Sequence, residues 1–352
     1  MEFKYKFLNK ININNFDFLR VVFAATVALA HLIELSEVEI FQPYKRFFNT
    51  RLAIDGFFVI SGFLIAKSYE HSKSLKDYIL KRVKRIVPAY FFVILFCAFF
   101  FCFISTQSIS TYFLNSQFWT YLLANLTFQN YLQPCLPGVF QDNLLCAVNG
   151  ALWTIKIEEA FYLLLPLFYL ITKSKKSNIH ILSIVVYLLS IVYYNYFVSA
   201  DMYRIAKQLP GALAFFTTGI ILYRHFDFFI KWKHHIILPC LLLFVLEQYA
   251  FNTQIFKPAV YGFMVFYFAY NFKFLNHFGK YGDLTYGIYI YHFPLIQVFV
   301  HLGFFKSYNP LLIAAILIVI IVVISALSWH FLELAYLSES RKERQRKLLL
   351  GE

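Results

Sequence analysis

Four long apolar runs, near residues 94–104, 181–193, 236–246 and 309–327, constrain this chain more than any other feature of its sequence. With their flanks, each approaches the roughly 20 residues that a helix needs to cross a bilayer. Composition supports the same reading, since only 14% of the 352 residues are charged, 60% are hydrophobic and the mean hydropathy is +0.61. A soluble domain of this length keeps far more charge. The expected fold class is an all-α integral membrane protein.

Spans are expected near 17–35, 51–67, 88–107, 151–172, 178–197, 207–224, 235–250, 256–272, 283–303 and 309–335, about ten in one membrane domain over residues 1–352. With both ends cytoplasmic, the inner segments hold 23 of the 32 Lys and Arg and the outer loops 7, while Arg20 and Lys156 fall inside spans. That asymmetry is what cytoplasmic termini predict. The net charge of +13 does not indicate nucleic acid, because the cations sit between apolar segments rather than along one face. Membrane lipids account for them. The first apolar run carries Arg20 and precedes no small-residue cleavage site, so it is expected to stay as an anchor. Residues 70–87 look like a basic amphipathic helix on the cytoplasmic surface. Residues 108–150 form the longest external segment, with Cys135 and Cys146 placed for a disulfide if that loop faces an oxidising compartment. Cys97, Cys102 and Cys240 read as small hydrophobes within spans, and the five cysteines form no metal pattern.

Ionisable groups at membrane depth are costly and raise a functional hypothesis. Arg20 and His31 are eleven residues apart, which on a helix is three turns plus roughly 20°, so they share one face about 16 Å apart along the axis. Asp17 lies near the same stripe. Such a face could line a polar cavity, although Arg20 could equally snorkel to lipid phosphates and His31 make an interhelical hydrogen bond. Moving an acyl group from a thioester to a hydroxyl needs a base that takes the hydroxyl proton and returns it to the leaving thiolate, a role suited to imidazole. Arg20, Arg82 and Arg85 are candidates to hold phosphates of an acyl-CoA donor, the last two being equally readable as interfacial charge. Glu158 and Tyr162 lie one turn apart, and Glu158 could orient His31 or an arginine. Lys156 could pair with Glu159 or bind an acidic acyl group. Asp55 reads as the N-cap of the second span. Ser61 could donate to an oxyanion, or form a Ser-Gly packing device with Gly62. His292 is a second imidazole at membrane depth.

Several segments resemble the acyltransferase-3 family of membrane O-acyltransferases. Arg20 and His31 reproduce its R-x10-H arrangement, and DFLR at 17–20 its D-x-x-R opening. DGFFVISGFL at 55–64, KRVKRIVPAY at 81–90, LWTIKIEEAFYL at 152–163 and LTYGIYIYHFP at 284–294 resemble further signatures, and Glu333 its closing segment. The resemblance runs from about residue 15 to 336, and Lys156 is unusual within it. It implies about ten spans, acyl-CoA from the cytoplasm, a glycan acceptor on the far side, and Arg20 and His31 as the central pair. It also implies a stand-alone form, without the extra C-terminal domain of many relatives.

The sequence therefore reads as an O-acyltransferase, acetyl-CoA-dependent by expectation, of a bacterial cytoplasmic membrane. No permanently bound cofactor is expected, and the acceptor is a glycan or lipid-linked glycan such as lipopolysaccharide, capsule, exopolysaccharide or peptidoglycan. The rival readings are a transporter or flippase with an intramembrane Arg/His/Glu path, against which the lack of an inverted repeat counts, and a non-catalytic scaffold.

Overall fold

The computed structural model describes residues 11, 13–173, 176–251, 253–276 and 278–337. Among these the regular structure is helical, with one isolated bridge pairing Cys135 and Ala147. Each expected span contains a helix: α1 (Phe16–Ser36), α2 (Thr50–Glu70), α3 (Leu75–Phe100), α4 (Trp153–Ile171), α5 (Lys176–Ser199), α6 (Leu209–Arg224), α7 (Phe226–Leu246), α8 (Lys257–Asn271), α9 (Thr285–His301) and α10 (Pro310–Ser328). Seven of these segments are long and apolar enough to cross a membrane. The other three are α4, which carries Lys156, Glu158 and Glu159, and α8 and α9, of 15 and 17 residues. At 1.5 Å per residue the last two measure about 22 and 25 Å, short of a hydrocarbon core of about 30 Å.

Two boundaries differ from expectation for local reasons. The surface helix expected over 70–87 and the span expected from 88 are one helix, α3, which runs through Pro88. Its start is fixed by a capping box: Ser74 Oγ accepts from the Asp77 amide at 3.1 Å, and Asp77 accepts from the Lys73 amide at 3.0 Å. Asp55 is not an N-cap, because α2 begins at Thr50, and Asn49 Oδ1 accepts from the Leu52 amide at 3.0 Å. Asp55 lies one turn inside the helix, fully buried.

Contacts divide the chain into two compact units. The first takes the chain up to Leu19, Ile54–Ile79 and Ile157–Phe278. In it α6 packs on α5 and α8, and α7 on α8. Phe16, Phe63, Phe226, Phe229, Phe266 and Tyr270 form a cluster of edge-on and tilted rings. The fully buried Asn15 gives its backbone amide to Ala269 O at 2.9 Å and its side-chain amide to Phe272 O at 2.5 Å. It thereby satisfies carbonyls that the end of α8 leaves open.

Gly62 and Gly219 bring α2 and α6 into backbone contact. A Cβ on Gly62 would stand 2.0 Å from Phe216 O, and one on Gly219 would stand 2.1 Å from Val59 O. Gly219→Ala should destabilise the protein by about 1–3 kcal/mol, because overpacking against backbone exceeds a helix-propensity gain of at most about 1 kcal/mol. Thermal unfolding in detergent checks this, and an unchanged midpoint would refute the close packing.

The second unit takes Arg20–Ala53, Leu80–Lys156 and the chain from Gly279. Here α9 packs on α10, where a Cβ on Gly287 would lie 2.8 Å from Ser325 Cα. The segment before α4 folds into a cap closed by a Cys135–Cys146 disulfide, the pairing left conditional in the sequence. The fully buried Gln297 of α9 donates to Leu145 O at 2.6 Å and Ala147 O at 2.8 Å, which fastens this cap to the helix.

Prolines inside α4 and α9 each delete an amide that would have bonded the carbonyl four residues back. Both freed carbonyls have found side-chain donors. Tyr78 Oη donates to Tyr162 O at 3.0 Å in the first unit, and Asn149 Nδ2 donates to Ile290 O at 2.8 Å in the second. Tyr162 and Ile290 are both buried, so the side-chain donors replace bonds that would otherwise go unmade.

Candidate active site

The second unit holds two foci on α1. At one, His31 Nδ1 lies 2.8 Å from His292 Nε2, with the two rings 9° from parallel. His292 is fully buried and its Nδ1 lies 2.9 Å from Ile288 O, while His31 is only partly buried. The ring of Phe293 meets His31 edge-on at 5.2 Å between centroids. Phe293 is backed by Gly150, where a Cβ would stand 2.7 Å from the ring. Asn149, whose Oδ1 accepts from the Ala151 amide, grips the Ile290 carbonyl beside the pair, and Thr154 Oγ1 meets Tyr289 Oη at 2.6 Å. The imidazole of His31 is thus fixed by a hydrogen bond in one direction and a packed ring in another.

The other focus is a cluster of two cations and two carboxylates. Arg20 lies 3.2 Å from Asp283, Arg85 lies 2.7 Å from Asp283, and Arg85 lies 2.8 Å from Glu333. The Arg85 guanidinium also faces Tyr286 and Trp329, at 5.6 and 5.8 Å from their ring centroids. Tyr291 Oη donates to Ser328 Oγ, which reaches Glu333 at 3.4 Å. Asp283 is held in place from behind: Gly282 has φ +130°, and a Cβ there would strike Trp329 at 2.6 Å. Only glycine fits that turn. Side-chain exposure in the cluster is 20% for Arg20 and 2% for Glu333, so the charges neutralise one another largely out of solvent.

The residues expected to act together divide between these places. His31 and His292 meet. Arg20 shares α1 with His31 but joins the ion cluster, about 16 Å along the axis from it. Arg85, expected at donor phosphates, has two carboxylate partners, and Arg82 is a partly buried position one turn earlier on α3. Lys156 does not form the ion pair expected with Glu159. Its ammonium sits 4.2 Å from the ring centroid of Tyr131, a cation–π contact within the second unit.

Asp17, Asp55, Ser61, Glu158 and Tyr162 belong to the first unit. There Tyr162 Oη donates to Glu158 at 2.5 Å, the one-turn contact that their spacing predicts.

Sequence reasoning missed Asp283, which stands one residue before the quoted LTYGIYIYHFP segment. The signal available was a carboxylate at the mouth of an otherwise uncharged span. It also missed a polar cluster in the first unit, where Glu70 accepts from Arg224 at 2.5 Å, Tyr169 at 2.6 Å and Tyr223 at 3.0 Å. Arg224 counted only as a loop charge. Among the described residues no group of three His, Cys, Asp or Glu side chains is gathered to hold a metal.

Comparison with known proteins gives a consistent result. A family sequence profile described as an acyltransferase domain matches residues 13–330. The chain is 28% identical over 352 residues to an O-acetyl transferase of Shigella phage Sf6, covering 93% of this chain and 97% of that one. It is 26% identical over 351 residues to nodulation protein 10 of Rhizobium leguminosarum bv. viciae, covering 91% and 92%. A stretch of 166 residues is 31% identical to an uncharacterised Haemophilus influenzae protein, covering 45% of this chain and 65% of that one. No solved structure matches.

Proposed function

We propose that this chain, which belongs to the acyltransferase-3 family, moves an acetyl group from acetyl-CoA at the cytoplasmic face of a bacterial inner membrane to a hydroxyl of a surface glycan or lipid-linked glycan. The family establishes acyl transfer by a multi-pass membrane protein; the donor, the acceptor and the membrane are our reading. The observation that carries it is the His31–His292 pair, an imidazole of a partly buried residue held by a second, fully enclosed one.

In this reaction His31 takes the proton of the sugar hydroxyl as its oxygen attacks the thioester carbonyl. The C–S bond breaks, and the imidazolium returns the proton to the CoA thiolate. Holding both substrates in one cavity turns an encounter of two molecules into a single positioned step. Arg20, at the end of α1 away from His31, and Arg82 on α3 are the cations for the donor phosphates. In an acyl-His31 route Nε2 instead attacks the thioester carbonyl, and the C–S bond breaks to release CoA thiolate. The sugar hydroxyl then attacks the acyl-imidazole, the N–acyl bond breaks, and the hydroxyl proton leaves to water. The name of the phage relative supports acetyl as the group moved.

The test is mass spectrometry of the surface glycans of the native host. A deletion strain should lose the mass of one acetyl group from one glycan, and the wild-type gene should restore it. Another lost mass would redirect the donor to a different acyl-CoA and attention to Lys156. An unchanged glycan profile, together with no release of free CoA by the purified protein, would remove the enzymatic reading in favour of transport.

A further inference from the structure

A carbonyl oxygen can only accept a hydrogen bond, and that fixes the protons of the histidine pair. His292 Nδ1 lies 2.9 Å from Ile288 O, so Nδ1 carries hydrogen. A second proton on His292 would place a full positive charge on a ring with no solvent exposure, which is costly. His292 Nε2 is therefore an acceptor. Its partner 2.8 Å away, His31 Nδ1, must then be the donor. With hydrogen on Nδ1, His31 Nε2 is left with a free lone pair.

We infer that His292 is a positioning residue: it holds His31 in the tautomer whose Nε2 can take a proton, and it fixes the plane of that ring. The inference rests on the reading of His31 as the base. It extends that reading by a residue that never touches substrate, in the way a third group orients the base beside an activated nucleophile.

The surroundings show why the direction of the relay is stable. Ile288 and His292 sit one turn apart on α9, so the accepting carbonyl is part of the same helix that carries the ring. Pro294, inside the helix just beyond, removes one amide donor, and Asn149 takes up the freed Ile290 O. The two imidazoles meet edge to edge, 9° from parallel and 5.2 Å between centroids, and Phe293 lies edge-on to His31 on another side. In the proposed reaction the hydroxyl proton moves to Nε2, the new C–O bond forms, the C–S bond breaks, and Nε2 gives the proton to the thiolate. The Nδ1 proton stays within the His31–His292 bond throughout, which stabilises the imidazolium while it exists.

The test uses full-length protein in detergent, radiolabelled acetyl-CoA as donor and membranes of the native host as the acceptor source. Three variants are compared with wild type: His292→Leu removes the acceptor, His292→Gln keeps one in its side-chain carbonyl, and His31→Ala removes the base. Expected is a loss in kcat on the order of 100-fold or more for His292→Leu, with the KM for acetyl-CoA within about 3-fold of wild type. His292→Gln should recover to within about 10-fold of wild type. Equal losses for Leu and Gln in proteins that elute as wild type would show a packing role only and overturn the inference. So would a fully active His292→Leu beside a dead His31→Ala, which leaves the function standing without the relay. An active His31→Ala overturns both, and is told apart by that result alone.

Discussion

A purified His31→Ala protein should elute as wild type from size exclusion and transfer at least about 100-fold less acyl group, the span usual for removing a general base being 10²–10⁴-fold. The loss should fall on kcat, because in the proposed reaction His31 meets the reacting hydroxyl, while the CoA phosphates lie some three helical turns away. Hydrolysis and transfer separate the two chemical routes. If the acyl group rests on His31, wild type incubated with donor alone should carry the acyl mass on the peptide containing His31, and the alanine variant should not. Transfer retained near the wild-type rate would remove His31 from the chemistry.

The second large effect concerns stability. Arg85→Ala should destabilise the protein by about 3–5 kcal/mol, because it strands Glu333, whose side chain is 2% exposed, and weakens the hold on Asp283. Two charges of opposite sign in a place without solvent are tolerable; one of them alone is not. Replacing both members of the pair, as in Arg85→Met with Glu333→Leu, should recover most of that loss. Chemical denaturation in detergent reads the stability of both variants. A single variant as stable as wild type would show that the cluster is solvated. The double variant also decides the role once expected of Arg85: with stability regained, an unchanged KM for acetyl-CoA leaves Arg85 as an ion-pair residue, and a raised one returns it to the donor site.

Much of the arrangement was legible from spacing, because helices impose their own geometry. Eleven residues on one helix put Arg20 and His31 on a shared face, and the four-residue step from Glu158 to Tyr162 produced a contact at 2.5 Å. Apolar length located every helix that carries these groups. What could not be read were partners brought from distant sequence. Nothing in the HFP of α9 says that its imidazole meets one from α1, and nothing in KRVKR says which arginine turns towards Asp283 and Glu333. Local competition misled as well. Asp55 followed by Gly56 resembles a helix start, but Asn49 had already started the helix a turn and a half earlier. Lys156 and Glu159 stand three apart, close enough to pair, yet the aromatic face of Tyr131 takes the ammonium.

The proline sites in α4 and α9 impose an order on how such a sequence can change. Each pairs a proline that frees a carbonyl with a distant side chain that occupies it: Pro166 with Tyr78, and Pro294 with Asn149. Losing the proline first restores an amide and harms little, but losing the donor first strands a buried carbonyl at a cost of about 1–3 kcal/mol. A lineage can therefore gain the proline only after the donor and shed the donor only after the proline. The two positions in each pair are historically ratcheted, and among relatives the combination of proline without donor should be the missing one of the four.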